Sequence, residues 1–148
     1  MSDTPTNGSP TVVLVHGAFA DASSWNGVIE ELLAKGVNVT APPNPLRGIS
    51  IDSDYVANVL DQTPGPVVLV GHSYGGAVIT NAASRAKNVV ALVYVAAFAP
   101  DEGETVADVF YRTEPHPSAP KLAPDNHGAD LSARGSLRRG VRAERLCR

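Results

Sequence analysis

One stretch of the sequence limits the possible folds more than any other: residues 67–77, which read VVLVGHSYGGA. An apolar run, a serine between glycines and a second run of small and apolar residues predict a strand, a tight turn and a helix. That is the context in which G-x-S-x-G is a nucleophile elbow. Such a turn strains the backbone of Ser73 and exposes its hydroxyl, and Gly71 and Gly75 lack the Cβ atoms that would crowd it. The alternative interpretation is a glycine-rich turn with an incidental serine.

Three other apolar runs predict further strands, and helical periodicity fills the intervals between them. The expected strands are residues 11–15, 37–41, 67–70 and 89–95, and the expected helices are 23–35, 50–62, 74–87 and a short one near 107–111. Strands that alternate with helices predict an α/β fold with three layers, a mostly parallel sheet of about four strands and right-handed crossovers.

Two of these helices carry more detailed expectations. Ser23 or Ser24 is expected to cap the first helix. Asp52 and Asp54 suit the first turn of the second helix, where a negative charge meets the positive end of the helix dipole. The apolar side of that helix is expected to be buried, and it consists of Ile51, Tyr55, Val59 and Leu60.

Charge and composition exclude several classes of function. The net charge is −3, but residues 1–130 carry −8 (six Lys and Arg against fourteen Asp and Glu) and residues 131–148 carry +5 (six Arg against one Glu). An acidic domain without a nucleic-acid motif predicts no nucleic-acid partner, and no apolar run is long enough to predict a membrane span. Metal-ligand spacing and phosphate-loop motifs are absent from the sequence, so we expect no metal and no cofactor. A single cysteine, Cys147, predicts no internal disulfide and a cytoplasmic location.

The serine chemistry needs donors for a developing oxyanion as well as a nucleophile. One donor is expected to be the backbone N–H of Tyr74, and the other the N–H of Ala18 in the loop after the first strand, with Phe19 as its neighbour. The first and third strands should be adjacent at the switch point of a doubly wound sheet, where ligands bind. Two motifs about 55 residues apart in the sequence are therefore expected to meet in one crevice.

Together, VVLVHGAFADASSW and VVLVGHSYGGAVITNAA resemble the α/β-hydrolase family, and in particular small bacterial esterase-like members similar to the plant methylesterase and hydroxynitrile lyase group. The resemblance runs from residue 11 to about 131. It implies Ser73 as the nucleophile, Ala18 and Tyr74 as oxyanion donors, a small acyl substrate and Phe19 as a substrate contact. It also implies that His16 is a structural histidine that positions the oxyanion loop. Phe19, Trp25 and Tyr74 are the candidates to line an acyl pocket, and for Trp25 packing of its helix is the equal alternative.

Composition and the resemblance together divide the chain into four parts: a disordered leader (1–10), the N-terminal half of a hydrolase core (11–100), the start of a lid (101–131) and an aberrant, irregular Arg-rich tail (132–148). The resemblance implies a base and an acid from two later strands, and nothing after residue 131 resembles these. The remaining candidates are weak: His116 and His127 read as exposed loop residues, Asp101 as part of a turn, and His72 is too close to Ser73 for triad geometry.

We therefore expect a truncated or frameshifted family member, a hypothesis that sequencing the coding DNA tests. Two functional interpretations stay open: a serine hydrolase acting on a carboxylic ester, or a non-catalytic fragment or binding module that keeps the crevice without the chemistry. A third keeps the fold and changes the reaction. In each case residues 89–95 would be an apolar sheet edge, which predicts self-association.

Overall fold

The computed structural model describes residues 8–101, 104–114 and 117–118. The fold lies in one compact unit, Met1–Arg112. The second unit, Thr113–Arg148, is described only at residues 113–114 and 117–118, the last two of which form a turn. The expectations for the first part of the leader, for His116 and His127 and for the Arg-rich tail lie outside the described residues.

A four-stranded parallel sheet forms the centre of the larger unit. Its strands are β1 (Thr11–Val15), β2 (Asn38–Thr40), β3 (Val67–His72) and β4 (Val89–Val95), in the spatial order β2-β1-β3-β4. The strand order reverses between β1 and β3, which pair from Thr11↔Val67 to Val15↔Gly71. The predicted α/β fold is confirmed, and so is the adjacency that brings the two sequence motifs to the same edge of the sheet.

Short helices connect these strands. A 3-10 helix (Ala22–Trp25) leads into α1 (Asn26–Ala34), followed by α2 (Ile49–Gln62), α3 (Tyr74–Ala83) and α4 (Val106–Phe110). The predicted cap of the first helix was wrong. The carboxylate of Asp21 caps the 3-10 helix by accepting from the Ser23 N–H, and the N-cap residue of α1, Trp25, makes no side-chain cap. The α3 helix also ends four residues before the predicted residue 87.

The buried face of α2 differs from the predicted one. Ile51 and Tyr55 are exposed, although Leu60 is buried as expected. The helix instead turns Asp52, Ser53, Val56, Ala57 and Leu60 inward. Periodicity missed this face because Asp52 and Ser53 are polar, yet each finds a hydrogen-bond partner inside the fold, which removes the main cost of burial.

Apolar side chains fill both faces of the sheet. On one face, β1 and β3 pack against α2 and α3 in a cluster that includes Val13, Val56, Leu69 and Ile79, all fully buried. On the other face, Leu14 and Val70 pack around Trp25. Alternate residues of each central strand therefore serve opposite layers, as a parallel sheet covered on both sides requires.

Candidate active site

The turn between β3 and α3 has the geometry of a nucleophile elbow. Ser73 lies at its apex with φ 53° and ψ −122°, a conformation that costs a residue with a Cβ of the order of 1–3 kcal/mol. The surrounding backbone holds it there. The Ser73 carbonyl accepts from the N–H groups of Gly76 (3.0 Å) and Phe98 (3.1 Å), and its own N–H donates to the Val95 carbonyl at 3.4 Å.

Close backbone packing explains two of the glycines. A Cβ added to Gly75 would lie 2.5 Å from the Val15 carbonyl oxygen and 2.9 Å from that of His16. A Cβ on Gly71 would lie 2.6 Å from the Gly75 carbonyl oxygen. Neither position leaves room for a methyl group. Gly75 allows the start of α3 to lie directly against the end of β1, and Gly71 allows the tight turn between β3 and α3.

The loop after β1 lies directly against the elbow. A Cβ added to Gly17 would lie 3.0 Å from the Ser73 Cβ and 3.2 Å from the His72 carbonyl oxygen. This loop carries Ala18, and α3 begins with Tyr74. Among the described residues the backbone N–H groups of Ala18 and Tyr74 have no hydrogen-bond partner. The two N–H groups selected from the sequence are thus both unpaired, on segments that meet at Ser73.

His16 links this loop to the segment after β2. The side chain is buried, and its Nδ1 lies 2.8 Å from the Gly17 carbonyl oxygen, while the Asn44 N–H donates to its Nε2 at 2.9 Å. A carbonyl can only accept and an N–H can only donate, so the proton of the ring is on Nδ1. The Asn44 side chain also donates to the His16 carbonyl at 3.3 Å. These contacts fit a positioning role for His16, and both nitrogens are engaged, which leaves neither to act as a base.

Tyr74 turns its side chain away from the serine towards α2. Its hydroxyl donates to Asp52 Oδ2 at 2.8 Å, and the other oxygen of that fully buried carboxylate accepts from the Arg47 N–H at 2.8 Å. Burial first, then the hydrogen bond to Asp52 and its negative charge, raise the pKa of the Tyr74 phenol well above its usual value. The Tyr74 hydroxyl is therefore engaged by Asp52, and the expected pocket-lining role of Tyr74 stays a prediction.

Sequence reasoning missed Asn44 and the role of Asp52. Asn44 follows β2 within a proline-rich segment that reads as a simple strand terminator, and Asp52 reads as a solvated first-turn carboxylate. Only the Pro-x-Asn-Pro context hinted that the segment is rigid. Asn44 bonds to His16, 28 residues away, and Asp52 bonds to the Tyr74 hydroxyl, 22 residues away, which local patterns cannot show.

Backbone strain is concentrated at this edge of the sheet. Among the described residues, the non-glycine positions with positive φ are Leu46 (55°), Ser73 (53°) and Ala96 (43°). They lie in the segments that follow β2, β3 and β4 respectively. Strained residues of this kind persist where the surrounding structure determines their conformation, and they are enriched at functional sites. The carboxyl edge of the sheet is also where ligands bind in doubly wound folds.

Two aromatic side chains near the elbow have different environments. Phe19 is 49% exposed, in the loop next to Ala18, so it is available to a ligand. Trp25 is buried between Leu14 and Val70 and meets the His72 ring edge-on, with ring centroids 6.3 Å apart. Of the two expectations for Trp25, packing of its helix is the one that these contacts support.

The activating partners of a serine nucleophile are missing from the described part of the chain. No hydrogen bond there joins the Ser73 hydroxyl to a histidine or a carboxylate. His72 packs against Trp25, and the exposed Asp101 receives no role beyond a turn in which its N–H donates to Glu104. Among residues 8–101, 104–114 and 117–118, no group of three or more potential metal ligands occurs, and no helix there has the length and hydrophobicity of a membrane span.

Comparison with known proteins identifies the family. Residues 12–146 match the family described as the Alpha/beta hydrolase family, so the match continues past the limit near residue 131 that the motifs indicated. The chain belongs to this family, as the resemblance predicted.

Its relatives include esterases. The chain is 30% identical to a carbendazim hydrolyzing esterase of Nocardioides sp. (strain SG-4G), over 89% of this chain and 60% of that protein. It is 34% identical to methylesterase 7 of Arabidopsis thaliana, over 72% of this chain and 46% of that protein. A solved pyrethroid hydrolase from Sphingobium faniae JZ-2 superposes with a TM-score of 0.67 at 27% identity, covering 88% of this chain and 59% of that one. The chain thus spans roughly half to three-fifths of these relatives.

Proposed function

We propose that this chain carries the nucleophile half of a serine hydrolase that acts on small carboxylic esters. The observation that carries the proposal is the strained Ser73 at the point where the loop after β1 meets the elbow. In the described residues the backbone N–H groups of Ala18, in that loop, and of Tyr74, next to Ser73, are unpaired. Unpaired donors aimed at one place in a site stabilise a charge that develops there, and this effect is usually the largest single contribution to catalysis of acyl transfer.

The reaction follows from this arrangement. Ser73 Oγ attacks the ester carbonyl carbon, and the carbonyl oxygen gains the charge that the Ala18 and Tyr74 N–H groups stabilise. Collapse of this intermediate releases the alcohol and leaves an acyl-serine, which water hydrolyses to the carboxylic acid and free Ser73. A base has to accept the serine proton and return it to the alcohol. The described residues bring none to Ser73, so the complete cycle requires a base from elsewhere.

The substrate class is proposed from two sources. The relatives named above are an esterase, a methylesterase and a pyrethroid hydrolase, which supports a small ester rather than a peptide or a phosphate ester. The exposed ring of Phe19 offers an apolar surface next to the oxyanion loop. We therefore propose Phe19 as a contact for the acyl group.

A fluorophosphonate probe tests the nucleophile. We expect labelling of the wild type and none of Ser73→Ala. Ser84→Ala is the matched control, since Ser84 is an exposed serine at the other end of α3, and it should be labelled like the wild type. Equal labelling of Ser73→Ala and the wild type would refute the nucleophile.

Hydrolysis of p-nitrophenyl acetate separates the two functional interpretations. Turnover above the Ser73→Ala background supports a hydrolase. Labelling by the probe without turnover supports the alternative, a non-catalytic fragment or binding module, which is the interpretation that the absence of a base beside Ser73 in the described residues favours.

We also propose that two copies of the chain associate through β4. This strand is the edge of the described sheet, and its side chains Val90, Leu92, Val93, Tyr94 and Val95 are exposed. A groove of about 390 Å³, lined by Ala83 and residues 89–92, runs along it. The unpaired N–H and C=O groups of such an edge are satisfied when β4 of a second copy pairs with it antiparallel about a two-fold axis.

Sedimentation velocity over a range of protein concentrations tests this association. Val93→Lys should shift the protein towards the monomer, because a charge on the edge strand opposes pairing. Val28→Lys is the matched control: Val28 lies on α1 and is exposed to the same extent, 41%. A wild type that stays monomeric, or equal effects of both substitutions, would exclude β4 as the interface.

A further inference from the structure

The segment after β2 contacts both sides of the elbow. Its Asn44 N–H donates to His16 Nε2, and His16 Nδ1 donates to the carbonyl of Gly17, the residue before Ala18. Three residues further on, the Arg47 N–H donates to Asp52, and Asp52 accepts from the Tyr74 hydroxyl. One short segment, residues 44–47, is therefore hydrogen-bonded to the neighbours of both candidate oxyanion donors.

Both connections are short and shielded. Their four hydrogen bonds measure 2.8–2.9 Å, and the linking side chains, His16 and Asp52, are 2% and 0% exposed. Movement of a buried carboxylate away from either of its two donors is unfavourable, because it leaves a buried charge poorly paired. Buried hydrogen bonds of this kind hold their partners in fixed positions.

The segment itself has a restricted conformation. Pro42, Pro43 and Pro45 fix three φ angles, and Leu46 is held at φ 55°. Asn44 is buried and also donates its side-chain amide to the His16 carbonyl. A rigid segment with two buried attachments transmits a displacement from one attachment to the other, whereas a flexible one would absorb it.

We propose that residues 44–47 form an oxyanion brace, which sets the positions of the Ala18 and Tyr74 N–H groups relative to each other through His16 on one side and Asp52 on the other. His16, Asp52 and the Tyr74 hydroxyl are positioning groups in this arrangement, and they do not touch the substrate. The inference rests on the proposed function, because the brace matters for chemistry only if the two N–H groups bind an oxyanion.

Asp52→Asn tests the brace with little change in volume. An amide is uncharged and has one acceptor oxygen where the carboxylate has two, so it cannot accept from both the Arg47 N–H and the Tyr74 hydroxyl as Asp52 does. The matched control is Ser53→Ala. It removes a neighbouring buried hydrogen bond from α2 to α3, that of Ser53 Oγ to the Val78 carbonyl, which does not involve the brace.

The first readout is structural and lies on the opposite attachment. We expect Asp52→Asn to accelerate hydrogen exchange of the Asn44 amide at least tenfold and to change the ¹⁵N shift of His16 Nε2, while Ser53→Ala leaves both as in the wild type. Tyr74→Phe keeps the bond from Asp52 to Arg47, so it should give smaller changes in the same direction. It is also the variant to use if Asp52→Asn does not fold.

The second readout is the rate constant for labelling of Ser73 by the fluorophosphonate, which we expect to fall about tenfold in Asp52→Asn. The brace would be overturned if the Asn44 exchange rate and the His16 ¹⁵N shift are unchanged in both Asp52→Asn and Tyr74→Phe, or if Ser53→Ala changes them equally. Neither result would bear on Ser73 as the nucleophile. If the exchange and ¹⁵N effects occur as expected but the fluorophosphonate does not label the wild type, the brace is upheld and the proposed function is overturned.

Discussion

Strands β3 and β4 are paired neighbours with similar sequences and very different environments. Both are rich in valine and leucine, and Leu69 of β3 pairs directly with Leu92 of β4. Leu69 is fully buried, whereas Leu92 is 37% exposed. The difference arises because β3 has a strand on each side and helices over it, while β4 is at the edge of the described sheet. An apolar run thus predicts a strand, but the neighbours decide how much of it is buried.

The two strands also end differently. β3 runs into Ser73, whose conformation is held by Gly76, Phe98 and Val95. Nearby Gly75 packs closely against the backbone of Val15 at the end of β1. β4 ends at Val95, and the next residue, Ala96, also has positive φ, but the last side chains of β4 are exposed. The strained residue after β3 is therefore surrounded by packed backbone, whereas the strained residue after β4 lies at an exposed edge.

The largest expected effect comes from filling the contact at the end of β3. In Gly75→Ala the new methyl group would meet the Val15 carbonyl oxygen at 2.5 Å, and neither backbone can move without breaking the sheet or the elbow. We expect a loss of more than about 4 kcal/mol in the free energy of unfolding, which belongs to the exceptional class of substitutions. Urea denaturation followed by circular dichroism measures it.

Gly27→Ala is the control for this substitution. A Cβ at Gly27 in α1 meets nothing within 4 Å, so alanine should stabilise the protein by about 0.5–1 kcal/mol through its helix propensity. A Gly75→Ala protein as stable as the wild type would contradict the close contact between α3 and β1.

The paired leucines test the comparison of the strands directly. Leu69→Ala removes a fully buried side chain and leaves a cavity, so we expect a loss of about 3 kcal/mol. Leu92→Ala, on the same rung of the sheet, should cost roughly 1 kcal/mol in the monomer, because water already reaches part of the side chain. Urea denaturation at low protein concentration separates the two values, and equal losses would mean that β4 is covered in solution.

How much of the structure can be predicted from the sequence depends on how far apart the interacting residues are in the chain. The strand limits at residues 11–15 and 89–95, the elbow and the adjacency of β1 and β3 follow from local composition and from the rules of parallel sheets. The contact between the loop after β1 and the elbow follows from the same topological rule. Each of these depends on residues that are neighbours in the chain or on a general rule of topology.

The inward face of α2 and the attachments of residues 44–47 could not be predicted in this way. Hydrophobic periodicity ranks Tyr55 above Asp52 for burial, because it scores each side chain alone. Asp52 is buried only because a phenol hydroxyl and an N–H from two other segments meet its two oxygens. Polar burial is a property of the partners, and one of them, Tyr74, is 22 residues from Asp52 in the sequence.

The smallest expected effect comes from comparing Tyr74, just after β3, with Tyr94, near the end of β4. The Tyr74 hydroxyl donates to the buried Asp52, whereas the Tyr94 hydroxyl shares a hydrogen bond of 2.8 Å with Thr80 at the exposed side. Burial and the hydrogen bond to Asp52 raise the pKa of Tyr74. Below the usual tyrosine pKa of about 10, folded and unfolded chains both keep the proton and the stabilisation is complete.

Above that pH the unfolded chain loses the Tyr74 proton while the folded chain keeps it, so the free energy of unfolding falls as the pH rises. The slope is at most about 1.4 kcal/mol per pH unit, and it is reduced by the solvent around the half-buried ring. Tyr74→Phe should therefore be less stable than the wild type at pH 8, having lost a hydrogen bond to a buried charge, and should show a shallower decline between pH 10 and 11.5. Tyr94→Phe is the matched control, and a decline flattened equally by both substitutions would show that the buried carboxylate does not set the alkaline response. If only Tyr74→Phe makes the alkaline decline in the free energy of unfolding shallower, the responsible group is the tyrosine at the well-packed end of β3 and not the one in the exposed strand β4.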